Sequence, residues 1–139
     1  MRNFNTNDFL VRVPMFIIFF WFGILKVFEV SPAQELIIDT VYWMPFLSAE
    51  KWTIVIGVWE MFIGIFFLSK RTTLLAMVLL FLQMTGTFMP LVILPEITFQ
   101  NSNPFIPTLE GQYIIKNIII ITAALIIGRK YLKVRLFKI

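Results

Sequence analysis

A chain of 139 residues that is 59% hydrophobic and only 14% charged, with a mean hydropathy of +0.87, lies outside the soluble range. Soluble domains average about 45–50% apolar and 25% charged residues. With no cysteine and no histidine, the chain can form no disulfide, thiolate nucleophile or iron–sulfur cluster, and it lacks the common haem ligand, the usual catalytic zinc set and an imidazole base. The net charge of +4 comes from basic residues flanking apolar segments, a placement that speaks for topology and lipid headgroups and against nucleic acid.

Windows of about 19 residues give four candidate spans in chain order. The first runs from Val13 to Val30, with Pro14 expected in the first turn of its helix. The second covers Trp52 to Leu68, the third Thr73 to Leu94, and the fourth Gln112 to Gly128. Their Ile-rich runs resemble strands locally. In lipid, however, every backbone polar group needs a partner, so four such segments form helices. The expected class is an all-α membrane protein, a single four-transmembrane-helix bundle. Ser31-Pro32-Ala33 is weakly like a signal-peptidase site. Lys26 and Glu29 interrupt the apolar run before it, so the first span is expected to stay uncleaved.

Outside the spans, nine Lys and Arg residues fall on one side: Arg2, Arg12, Lys70, Arg71, Arg129, Lys130, Lys133, Arg135 and Lys138. Lys51 stands alone on the other. The positive-inside bias places both termini and the second-to-third connection in the cytoplasm. Between the first and second spans, Ala33–Met44 is expected to form a short amphipathic helix at the interface, with Tyr42 and Trp43 at headgroup level. The last long connection carries Pro95, Pro104 and Pro107, a turn-rich cap with Phe99, Phe105 and Ile106 as apolar anchors. The basic tail is expected to rest on anionic lipid.

Two lysines and a glutamate sit at depth inside the apolar segments: Lys26, Glu60 and Lys116. A charge in the hydrocarbon layer costs about 3 kcal/mol on insertion scales, so it needs a partner, water or a role. A rise of about 1.5 Å per residue puts Lys26 roughly 6–8 Å, Glu60 about 13 Å and Lys116 about 8 Å below the outer ends of their helices. Gln83 falls near the midplane of the third span, and Thr87 one turn further out. All four helices are therefore expected to offer polar groups to one layer. Gly57, Glu60 and Gly64 share a helical face, as do Gln83, Thr87 and Pro90, where a kink is expected. Lys26 and Glu29 can partly neutralise each other. On the fourth helix Asn117, Ala124 and Gly128 line one side, with Lys116 adjacent.

Three readings of these charges stay open: ion-pair glue or snorkelling lysines, a polar ligand pocket, and a proton path. Glue would pair Lys26 with Glu60, and Lys116 with Glu29 or Glu110. In a pocket, Glu60 is the first choice of residue. A path lacks a continuous polar chain to the cytoplasmic side. Trp21, Phe22, Trp59 and Phe88 are candidate walls for a flat ring, with plain packing as the simpler role. Glu110 is either a site residue or a cap on the fourth helix.

The ordered segments WFGILKVFEVSP, GVWEMFIGIFFL, FLQMTGTFMP and EGQYIIKNIIIITAALIIG resemble the DoxX-like family of small bacterial four-helix membrane proteins, closest to its YkgB-type branch. The resemblance marks Lys26, Glu60, Thr85, Thr87, Gly111, Lys116 and Asn117. The branch often shows Asp where this chain has Asn117, which removes a counter-charge to Lys116. The resemblance implies a protein of the bacterial cytoplasmic (inner) membrane linked to redox metabolism or oxidative stress, with an oxidoreductase or respiratory complex as partner. Its candidate cofactor is a quinone, held without metal or covalent attachment. The expected role is an accessory protein, not an enzyme by itself, whose outward-opening pocket binds a quinone-like or small anionic group. Lys26, Glu60, Lys116, Gln83, Thr87, Thr85, Glu29, Asn117, Glu110 and Trp59 are its candidate ligand residues. The alternatives are a purely structural subunit of a larger membrane complex and, less favoured, a small transporter.

Overall fold

The computed structural model describes residues 6–136, and these are helical through most of their length. Helix α1 covers Thr6–Val27, α2 Gln34–Val41, α3 Ala49–Leu68 and α4 Thr73–Phe88. After α4 come α5 (Pro90–Ile93), α6 (Pro95–Thr98) and a 3-10 turn (Gln100–Ser102), then α7 (Leu109–Ile115) and α8 (Asn117–Leu136). Among the described residues, four helical stretches are long and apolar enough to cross a membrane: Asp8–Val27, Ala49–Leu68, Thr73–Ile93 and Leu109–Tyr131. They match the four expected spans, and the chain is a multi-pass membrane protein by length and composition.

The ends of these stretches correct the sequence reading. Helix α1 covers Thr6–Val27, so Pro14 lies inside it and not in its first turn. Glu29, with φ of 58°, turns the chain out of the helix before Val30. The third span breaks at Met89, where α4 gives way to α5 with Pro90 at its first position, the expected kink. The fourth also breaks, at Lys116 between α7 and α8. Ser48 and Thr108 start α3 and α7, each side chain accepting a hydrogen bond from the backbone N–H three residues on. Thr108, and not Glu110, therefore caps the fourth span.

Adjacency in space follows α1–α3–α4–α8, with α1 and α3 making the most extensive contact and α1 touching α8 more sparingly. The α1–α3 seam reads directly from the residues. Asp8, Arg12, Met15, Phe19, Gly23 and Lys26 are all buried, and their spacing of three or four residues makes one helical stripe. On α3, Thr53, Gly57, Glu60, Ile63, Gly64 and Phe67 are buried in the same way. Small residues let two backbones approach in lipid, where burying apolar surface drives no helix association. Here the approach is extreme: a methyl group at Gly57 would lie 2.7 Å from the Gly23 carbonyl oxygen and 2.8 Å from Lys26 Cβ. The core continues through Ala76, Met77 and Leu80 of α4 and Ala124 and Ile127 of α8.

Gly57→Ala is expected to lower stability by about 1–3 kcal/mol through forced separation of α1 and α3. Gly86 is the control, because a methyl group there meets nothing within 4 Å; Gly86→Ala should be neutral or stabilise by up to about 1 kcal/mol. Unfolding midpoints in mild detergent distinguish the two variants.

Candidate intramembrane site

Lys26 and Glu60 face each other across the glycine seam. Lys26 lies in the last turn of α1, and its Nζ is 2.7 Å from Glu60 Oε2, with 9% and 11% of the two side chains exposed. Helix polarity explains the meeting. Side chains lean toward the N-terminus of their own helix, and α1 and α3 run antiparallel. Lys26 therefore leans back into the bundle while Glu60 leans toward the end from which α3 starts. The ammonium also lies 3.5 Å from the Phe22 carbonyl, one turn back along α1. This is the reverse of snorkelling, so that reading fails for Lys26. Gly57 makes room for the lysine stem, since any Cβ there would strike it.

Helix α4 supplies a third member. Gln83 Nε2 donates to Glu60 Oε1 at 2.9 Å, so both carboxylate oxygens are engaged from different helices. One turn away in space, Trp59 Nε1 donates to the Leu79 carbonyl at 3.0 Å and ties α3 to α4. The result is a cation, an anion and a primary amide contributed by α1, α3 and α4.

A groove of about 270 Å³ adjoins this triad, lined by Trp52, Trp59 and Gln83 with apolar Met44, Val55, Ile56 and Leu82. Met44 comes from the connection after α2, and Trp52 Nε1 donates to the Pro45 carbonyl of that connection at 3.2 Å. Gln83 is thus shared: its nitrogen faces Glu60 and its side chain lines the groove. Of the expected aromatic walls only Trp59 lines it. Trp21 and Phe22 are exposed, and Phe88 lines a separate groove with Met84, Thr85 and Val92.

Other sequence candidates lie apart from the triad. Lys116 is exposed, sits 5.1 Å from the centre of the Tyr113 ring and has no carboxylate within ion-pair distance among the described residues. Its expected pairing with Glu29 or Glu110 is absent there, and both glutamates are exposed. Glu29 does not pair with Lys26 either. Asn117 folds its amide back onto the Tyr113 and Ile114 carbonyls. Thr85 and Thr87 donate to carbonyls of their own helix, at Phe81 and Leu82 for the first and Gln83 for the second. The polar layer thus draws on three spans and not four.

Sequence reading missed a second buried cluster at the opposite end of α1. Arg12, placed there as a topology charge, is 1% exposed. Its guanidinium donates to the Phe67 carbonyl at 2.6 Å, to Thr73 Oγ1 at 2.8 Å and to the Tyr131 hydroxyl at 3.0 Å. No carboxylate lies within ion-pair distance of it among the described residues. Its counterpart is the end of α3, whose last carbonyls lack helical partners and carry the negative end of the helix dipole. Beside it Asp8 accepts from Lys130 at 2.8 Å, again joining α1 to α8. The signal was present in the sequence: stepping back from Lys26 by threes and fours reaches Arg12 and Asp8.

No family model matches the chain, and neither a curated protein nor a solved structure is similar to it. The DoxX-like resemblance therefore stands on its four motifs alone.

Removing one member of a buried ion pair costs about 3–5 kcal/mol, while replacing both with apolar groups is often neutral. Lys26→Met is therefore expected to destabilise strongly, and Lys26→Met with Glu60→Met to recover most of the loss. A thermal unfolding series of both variants in detergent checks the coupling.

Proposed function

We propose that this chain is a ligand-binding accessory protein of the bacterial cytoplasmic membrane. Its groove takes the ring of a quinone-like amphiphile on behalf of a membrane oxidoreductase. One observation carries the reading: a groove walled by two tryptophans shares Gln83 with a buried ion pair. Ligand sites are mostly apolar concavities with a few convergent polar groups, and intramembrane charges mark function by default. The volume of about 270 Å³ is below the roughly 300–1,000 Å³ of drug-sized sites. That suits one ring, with any tail left in lipid. The DoxX-like motifs point the same way, toward redox metabolism.

Topology in this reading follows the Lys and Arg asymmetry, nine against one. Both termini lie in the cytoplasm, α2 lies along the outer interface with exposed Tyr42 and Trp43 at headgroup level, and the groove belongs to the outer half of the membrane.

A second reading, a structural subunit of a larger complex, is favoured by Lys116. An exposed cation on a membrane span, without a carboxylate partner among the described residues, suits an acidic residue on a neighbouring subunit's helix.

In lipid nanodiscs the protein is expected to bind a short-tailed quinone or its hydroquinone above the background of empty discs. Val55→Trp, which fills the groove from its wall without touching the ion pair, should weaken that binding at least tenfold. Equal affinity in the variant would remove the site. Topology has its own test. The chain has no cysteine, so single cysteines report sidedness cleanly: Asn103→Cys should react with an impermeant maleimide in intact cells, and Arg71→Cys only after permeabilisation.

A further inference from the structure

The polar groups around the groove differ in whether they are already occupied. Trp52 Nε1–H donates to Pro45 and Trp59 Nε1–H to Leu79, so neither indole offers its donor to a guest. Gln83 is oriented by its partner. With Lys26 2.7 Å from one oxygen of Glu60, the carboxylate only accepts, so the amide must turn its NH2 group toward it. That leaves the Gln83 side-chain oxygen Oε1, which, unlike the backbone carbonyl that accepts from Thr87, has no hydrogen-bond partner among the described residues. The remaining lining side chains are Met44, Val55, Ile56 and Leu82, which add no conventional donor or acceptor of note. The groove thus offers an acceptor fixed in place by an ion pair, between aromatic walls and against an apolar surround.

We propose that the groove selects ring compounds that donate a hydrogen bond, namely phenols and hydroquinones, over carbonyl forms of the same shape, with Gln83 as the specificity-determining residue. This rests on the reading of the groove as a ligand site and adds which redox form it holds. A ring hydroxyl donates to the Gln83 oxygen; a quinone carbonyl in that position places oxygen against oxygen with no hydrogen between. Sites that hydrogen-bond a substrate hydroxyl reject analogues lacking it, by several orders of magnitude when fully buried. For a groove open on one side a factor of about ten is expected, equivalent to roughly 1.4 kcal/mol. No electron transfer is invoked: the reduced ring is held, and its oxidation belongs to whatever partner collects it.

The test compares three probes of nearly one shape: trimethylhydroquinone, trimethylbenzoquinone and the dimethyl ether of the hydroquinone. Binding is measured by equilibrium dialysis under argon against nanodiscs with and without the protein. The hydroquinone should bind at least tenfold tighter than the other two, and Gln83→Leu should bring all three to the weaker value. The ether needs no altered protein, so the comparison holds even where Gln83→Leu folds poorly. Quinone or ether binding as tightly as hydroquinone would overturn the donor preference and leave the ligand site standing. Failure of all three to exceed empty discs would overturn both. Retained preference in a folded Gln83→Leu would remove Gln83 as its source.

Discussion

An ionised group in an apolar medium has to find its opposite, and the organisation of this bundle follows from where that happens. Lys26 and Glu60 close to 2.7 Å between α1 and α3, and the two helices can bring them so near because Gly23 and Gly57 present bare backbone to each other. At low dielectric the attraction is far stronger than in water. Its net contribution to stability is small once desolvation is subtracted. What the pair supplies is register: antiparallel helices sliding by one turn would separate the charges and drive side chains into the glycine seam.

From that pair outward the rest is positioned in steps. Gln83 takes the free carboxylate oxygen and docks α4. Trp59 fixes the same helix one turn further along. Trp52 then holds the connection after α2 through the Pro45 carbonyl, which brings Met44 over the groove. At the far end Arg12 gathers α3, α4 and α8 around α1.

Much of this was legible in the residues and some was not, for identifiable reasons. The spans were legible because lipid leaves the backbone no alternative to a helix. So was the face shared by Gly57, Glu60 and Gly64, because a fixed angular step needs no tertiary knowledge. Arg12 was misassigned because a hydropathy window stops where charges begin, whereas α1 runs on to Thr6 and carries its buried stripe with it. Lys116 was overvalued because depth alone made it conspicuous. Gly111 and Ile114 mark the buried side of α7, and Lys116, two residues beyond Ile114, lies roughly 200° around the helix from it. The groove was the least legible feature, since it depends on how α2 and the connection after it pack back on α3, helped by the bond from Trp52 to the Pro45 carbonyl.

Between the two polar clusters lies a section packed from Met15, Phe19, Ile63, Phe67, Leu80 and their neighbours, with no charged side chain among them. Across an energised bilayer most of the electric field drops over such a low-dielectric slab, at about 2.3 kcal/mol per elementary charge per 100 mV for a full crossing. Arg12 sits on one side of that drop and the triad on the other. A charge moved from one cluster to the other would therefore work against that voltage, with no charged side chain in the intervening section to receive it on the way.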